Sequence, residues 1–365
     1  MGVKRLSSFI LQKKLARTYD SIKKFVDINT KNKNSNVDNC NKMYVLAVDV
    51  WLFAHKFQYS KGNVLVEFLN LMIKLLSNNI LPIPVFDGKP PIEKKDVINQ
   101  RSAKKIKLKQ KILVLEQKLE NNEDNEITYQ IKQLNKQIIY ISKYDIHDLK
   151  YLFNLMNIPY LDANGEADYM CAKLYKDKKI DGCLSDDMDI LAHGCYKLIK
   201  ISGRKVIEFN LYYVLKQLNI EYLQFVDMCI LFGCDYVKTI PKIEPELSYS
   251  LIKAYKNLEN IKDNFMVEDN EKHKKFIDNY KNARKIFLTA SNKEIIPSDF
   301  VCHIDEEIDI DPVIKFIKYK CNNLITEDDI YKFKKNIKKI NILISNKVFC
   351  KSNNIDDIHR KYYSN

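Results

Sequence analysis

Short apolar runs alternate with longer stretches of helical period along most of this 365-residue chain. MYVLAVD, ILPIPVFD, IPYLD and IDGCLS are brief, largely branched or aromatic, and bounded by turn residues, which is how buried strands read. FVDMCILFGCD has the same strand-like look. Between the first three lie VLVEFLNLMIKLL and YDIHDLKYLFNLM, whose apolar residues recur at helical spacing. Alternation of this kind predicts an α/β fold, a mostly parallel twisted sheet flanked by helices.

From 101 to 143 the chain is highly charged yet periodic. Leu108, Ile112, Leu115 and Leu119 make one narrow stripe, and Ile127, Ile131, Leu134, Ile138 and Ile141 make another. NNEDNE breaks the pattern between them, so two helices should fold back on each other, with Lys104, Lys105, Lys107, Lys109 and Lys111 solvated. Residues 1–100 and 144–240 then form two parts of one core, on either side of that hairpin. The region 241–340, with SYSLIKAYKNL and KFIDNYKNARKIFL, reads as helical and basic, and 341–365 as a basic tail. KNKNSNVDNCNK, residues 31–42, reads as an exposed loop.

Seven acids stand where the strand-like runs stop: Asp49, Asp87, Glu166, Asp168, Asp187, Asp189 and Asp235. A lone Asp after a strand is usually a turn residue or helix cap. Neighbouring parallel strands, however, would bring these acids to one crevice beyond their carboxyl ends. Clustered carboxylates require cations, and oxygen-only ligands point to Mg²⁺ or Mn²⁺. Glu166 and Asp168 are two residues apart, about 200° on an ideal helix, so both face one site only from an irregular first turn. Asp187 and Asp189 share a face if DMD is extended. Lys94 and Arg101, about two helical turns apart, are positioned to face the same opening.

Composition narrows the partners. The formal charge is +13, from 60 basic and 47 acidic residues, and the basic excess suits phosphodiester backbones. Nine Cys show neither a disulfide framework nor paired CxxC spacing, so reduced thiols in an intracellular setting are expected, without structural zinc. No apolar run approaches a membrane span, and Leu6 stands where an N-myristoylation signal on Gly2 would want Ser or Thr.

AVDVWLFAHKF, VFDGKPP, NIPYLDANGEADYMCAKL, LSDDMDIL and LFGCDY, in this order and spacing, resemble the flap endonucleases of the XPG-type structure-specific nuclease superfamily, and the likeness runs from MGVKRL to about residue 340. The resemblance implies a PIN-like α/β core, a helical arch over 101–143 that threads a 5′ single strand, and a helical DNA-binding C-terminal region. It places two Mg²⁺ ions, replaceable by Mn²⁺, on the seven carboxylates, and active-site cations on Lys94 and Arg101. Lys104 and Lys105 become substrate-binding candidates, and His55 stands where relatives often stack a Tyr on a base, a core role being the equal alternative.

The implied activity is cleavage near the base of 5′ flaps, with some 5′-to-3′ exonuclease action, in DNA replication and repair. Alternatives are a junction-resolving or repair-type enzyme, whose repair-type members carry much longer insertions, a non-cutting scaffold, and a 5′ exoribonuclease. Three departures stand out, the first being that the loop at 31–42 is longer than is usual in relatives. IPKIEPELSYS replaces the glycine-rich hairpin by which relatives hold duplex phosphates and a monovalent cation, and DDIHRKYYSN only loosely echoes a sliding-clamp peptide. A monomer is expected, nuclear in a eukaryote or at a cytoplasmic replication site for a large DNA virus.

Overall fold

A computed structural model describes residues 2–31, 43–60, 63–119, 124–138, 140–237, 240, 242–265, 271–304, 306–321 and 324–345. The loop expected at 31–42 and the tail DDIHRKYYSN therefore lie almost entirely or entirely outside the described residues, as does the first half of the NNEDNE break, whose last two residues already belong to a helix.

Seven strands form one sheet: β1 (Arg17–Tyr19), β2 (Tyr44–Asp49), β3 (Ile80–Phe86), β4 (Leu161–Asp162), β5 (Gly182–Leu184), β6 (Lys197–Ser202) and β7 (Lys205–Asn210). Their order is β1-β7-β6-β5-β2-β3-β4. The five from β6 to β4 run parallel, and only β7 and β1 are antiparallel additions. Every residue of β2 and β3 is buried, because helices cover both faces of a parallel sheet and leave no polar alternation in its strands. Pro82 and Pro84 in β3 are two residues apart, so their missing donors face one side, and β4 pairs with β3 only at Val85 and Phe86.

The chain runs outward from β2 to β3 and β4, then crosses back to place β5 on the other side of β2. That reversal is a topological switch point, and it opens a crevice at the carboxyl ends of β2 and β5.

One strand-like run is a helix. FVDMCILF belongs to the helix Tyr222–Phe232, whose residues from Phe225 to Phe232 are all buried. A helix buried on nearly every face, its Asp227 included, carries a run of large apolar side chains that cannot be told from a buried strand by periodicity. Gly233, with φ 90°, ends it and turns the chain toward Asp235.

The charged region forms two helices, Lys95–Leu119 and Asn125–Gln137, the second capped by the Asp124 carboxylate accepting from Glu126 and Ile127. Ile112 and Leu115 are buried where the stripes meet. Lys104, Lys107, Lys109 and Lys111 are exposed as expected, but Lys105 is half-buried at the foot of the pair. Helices Pro245–Tyr255, Leu258–Phe265, Glu271–Thr289, Ile310–Lys320 and Glu327–Ser345 complete the described chain, sharing one apolar core that extends from Val3 to Ile344. Arg284 ties three of the helices together, reaching Asp227 at 2.6 Å and Glu259 at 2.8 Å. No helix among the described residues is long and apolar enough to cross a membrane.

Candidate active site

Six of the seven acids are delivered by four adjacent strands. Asp49 is the last residue of β2, and Asp87 follows β3 directly. The turn after β4 carries Glu166 and Asp168, and the turn after β5 carries Asp187 and Asp189. Asp235 arrives from the buried helix through the turn at Gly233.

Glu166 is the extended N-cap of the helix Ala167–Lys176 and Asp168 lies in its first turn, which resolves their helical misalignment. The expectation of an extended DMD is corrected. Met188 is α-helical and Asp189 opens the short helix Asp189–Ala192, so the two acids converge instead because the Asp189 N–H donates to Asp187 Oδ1 at 3.0 Å.

Asp49, Asp168, Asp187 and Asp189 are buried, the last only 1% exposed. Burial raises their carboxyls above the ordinary range, and repulsion from the neighbouring acids adds to it. Asp49 is pushed up to about 7, and Asp87 to about 6 by burial and by Glu166 and Asp187, against a backbone hydrogen bond from Ala167. Lys94 shows the complement: burial opposes its charge, yet Glu166, Asp168 and Asp235 raise its pKa.

Protein donors hold these acids apart. Ala167 N–H donates to Asp87 Oδ1 at 2.6 Å, and Leu52 N–H and Ser185 Oγ donate to the two oxygens of Asp49. Val3 N–H donates to Asp189 Oδ1. Among the described residues, no three His, Cys, Asp or Glu side chains stand as a ready-made metal cage. The donor set nevertheless fits a hard divalent cation. It is all oxygen, its charges repel, and Asp168 Oδ1 is buried with no hydrogen-bond partner.

Lys94 and Arg101 do face one opening, but not from one helix, since Lys94 belongs to the 3₁₀ turn Ile92–Lys94. Lys94 Nζ lies 2.6 Å from Glu166 Oε1 and 3.7 Å from Asp235 Oδ2, while Arg101 Nη2 lies 2.8 Å from that same oxygen. The Arg101 side chain is 44% exposed against 12% for Lys94, so Arg101 forms the mouth and Lys94 the wall. His55 stacks on Trp51 at 5.6 Å, half-buried, and its pKa is lowered by burial and then by Lys105 and Arg101. Lys104 is exposed one residue before Lys105.

Three groups at this site escaped the sequence reading. Tyr236 donates to Glu166 Oε2 at 3.3 Å and meets the Tyr169 hydroxyl at 3.1 Å, bracing the acid from beneath. Its position in LFGCDY beside Asp235 was a signal. Lys56 holds Asp186 at 2.7 Å, with Lys200 on the Asp186 carbonyl at 2.9 Å, placing two cations beside the residue that precedes Asp187. Gly2 touches the acids directly. A Cβ there would lie 2.7 Å from Asp189 Oδ1 and closer still to Asp187 Oδ1. Nothing local in MGVKRL announces that contact.

The XPG N-terminal domain matches residues 1–108 and the XPG I-region matches 157–235, together just over half of the chain. Flap endonuclease 1 of Brugia malayi is 30% identical over 295 residues, covering 77% of this chain and 74% of that protein. The chain belongs to the flap endonucleases of the XPG family. Flap endonuclease 1 of Caenorhabditis elegans is 31% identical over 260 residues, 69% of this chain, and the match spans 65% of that protein, just under two thirds of its length. The family's fold is shared with the catalytic core of Rad2 in complex with DNA substrate, at a TM-score of 0.65 and 18% identity over 92% of this chain and all of that one. It is shared too with the flap endonuclease from Methanococcus jannaschii, at 0.59 and 22% over 84% of this chain and 94% of that one. The seven acids lie in or at the edges of the two matched regions, and the second region ends at Asp235.

Proposed function

We propose that this chain is a Mg²⁺-dependent nuclease that hydrolyses a phosphodiester near the base of a 5′ DNA flap. One observation carries the reading: buried acids from four strands meet two cationic side chains at the root of a helical hairpin, in a chain whose relatives are flap endonucleases. Bound divalent ions supply an activated water and charge neutralisation at the leaving oxygen. Asp49, Asp87, Glu166, Asp168, Asp187, Asp189 and Asp235 hold two such ions, directly or through water, and Mn²⁺ substitutes.

Lys94 and Arg101 neutralise the scissile phosphate by exchanging their carboxylate partners for its oxygens, the Arg101 fork gripping two at once. The Tyr236 and Tyr169 hydroxyls keep Glu166 turned inward while Lys94 moves. Lys104 and Lys105 steer the single strand along the hairpin, and His55, one face stacked on Trp51, stacks on a base of the strand. The basic C-terminal helices take the duplex side, although in place of a glycine-rich hairpin this chain puts Glu244 in an ion pair with Arg5. The enzyme acts as a monomer at sites of DNA replication and repair.

A labelled 5′-flap duplex, a plain duplex, single-stranded RNA and a four-way junction, each with Mg²⁺ or EDTA, test this. Cleavage at the flap base that EDTA abolishes supports it. Faster cutting of the junction or of RNA would replace the substrate assignment, and binding without cutting would remove the activity. The basic surface adds a second expectation. Log affinity for the flap should fall linearly with log salt, losing about tenfold or more between 50 and 200 mM if several phosphates are gripped. A flat response would show that the +13 charge plays no part in binding.

A further inference from the structure

We infer that Glu294 is a positioning residue that suspends the loop carrying Glu166 and Asp168. It lies 59 residues beyond Asp235 and outside both matched XPG regions. Its side chain is buried, 4% exposed. One carboxylate oxygen accepts the Asn164 N–H at 2.8 Å and the other accepts the Gly165 N–H at 2.9 Å. Both oxygens are thus committed to two consecutive backbone donors, and no cation pairs with Glu294 among the described residues.

The opposite side of the loop is held by the chain leaving β3. Gly88 N–H donates to the Gly165 carbonyl at 2.6 Å, Lys89 N–H donates to the Asn164 carbonyl at 3.1 Å, and Asp87 takes the Ala167 N–H. The carbonyls of residues 164 and 165 therefore point to one acid-bearing strand end, and their N–H groups point to Glu294. Glu166 follows immediately as the N-cap of its helix, with Asp168 in the first turn. The backbone that leads into those two acids is thus held from both sides. A charged acceptor buried against two neutral N–H groups is also a strong anchor, about twice a neutral hydrogen bond.

Glu294 is itself fixed. It caps the 3₁₀ turn Ala290–Lys293 that follows the long basic helix Glu271–Thr289, and that turn docks on the helix Ala167–Lys176 through Lys176 Nζ on Ser291 Oγ at 2.7 Å. Gly165 is required at the junction, because a Cβ there would meet the Tyr169 ring at 2.8 Å and Glu294 Oε1 at 3.0 Å. The C-terminal helical region, which the proposed function assigns to duplex binding, thereby also shapes the carboxylate site.

Glu294→Gln keeps the side-chain volume and one acceptor oxygen but sets an amide N–H₂ against the other backbone donor. In the metal-free variant, amide exchange at Asn164 and Gly165 should accelerate about tenfold, with exchange in β2 and β5 unchanged. The Mg²⁺ concentration for half-maximal flap cleavage should rise about tenfold, while flap affinity in EDTA stays within twofold. Ser291→Ala is the comparison, since it removes only the Lys176 bond that seats the turn and leaves both Glu294 oxygens in place, and it should move both quantities clearly less than Glu294→Gln does. Wild-type exchange at Asn164 and Gly165 in Glu294→Gln, or an equal Mg²⁺ shift in Ser291→Ala, would overturn the assignment. The kinetic arm rests on the nuclease reading and the exchange arm does not. A protein that cuts no flap at all therefore defeats that reading while still deciding whether Glu294 holds the loop.

Discussion

Asp168→Asn should lower flap cleavage by about 10³-fold or more while raising the melting temperature of the metal-free protein by a few degrees. Asp168 is buried, its Oδ1 lacks a partner, and burial together with Asp187 and Asp49 drives its carboxyl upward. Neutralising it removes a desolvated charge and the repulsion it exerts, and gives its neighbours an N–H₂ donor. The same change removes one of the carboxylates proposed to hold the metal ions. A loss of both activity and stability would mean that the acid is there for packing.

The pH dependence has a matching sign. Asp49 and Asp87 bind protons more tightly when folded, with values of about 7 and about 6 against an ordinary 3.8. The stability they contribute is complete below the unfolded value and is lost as pH rises through the folded one. Metal-free protein should therefore melt lower at pH 8 than at pH 6.5. His193, buried and lowered to about 3, sets the lower end of this window, because below its unfolded value it destabilises the fold as pH falls. Mg²⁺ should reverse the order, since its ligands must be ionised, and stabilise more at pH 8 than at pH 6.5. Thermal melts in EDTA and in Mg²⁺ measure this, and a metal-free melting point that climbs with pH would sink it.

Gly2→Val should cost about 10²-fold or more in cleavage with little change in flap affinity measured in EDTA. Gly2 sits at φ 78°, where a β-branched residue is strained, and its Cβ would fall on the Asp187 and Asp189 carboxylates. The neighbouring Val3 N–H anchors Asp189, so the N-terminal segment cannot step aside without releasing that acid. Single-turnover rates and binding isotherms separate the two effects. Cleavage within threefold of wild type would show that the segment yields easily and that Asp187 and Asp189 do not depend on it.

Much of the fold was legible because its signals are local. The all-apolar runs of β2 and β3, the amphipathic helices Val64–Leu76 and Lys143–Leu155, and the two stripes of the hairpin each carry their own period. The buried helix Tyr222–Phe232 was not distinguishable from a strand, since a segment buried on nearly every face shows little polar period to read. In the site, each acid was visible as a carboxylate ending a run, and Lys94 and Arg101 by their place after Asp87. Which way each acid turns was not visible, as Asp187 and Asp189 show: the Asp189 backbone N–H donates to the Asp187 carboxylate where an extended pleat was expected.

The sequence alone determined the residue types and their order, and so the family, the oxygen-rich donor set and the basic balance of charge. Those properties belong to single residues and to neighbours along the chain. Tertiary structure alone decided that Gly2 lies against Asp187 and Asp189, that Tyr236 braces Glu166, and that Glu294 holds Asn164 and Gly165 from 130 residues away. Contacts over such separations depend on how helices pack on the two faces of the sheet, and no local period or propensity encodes them.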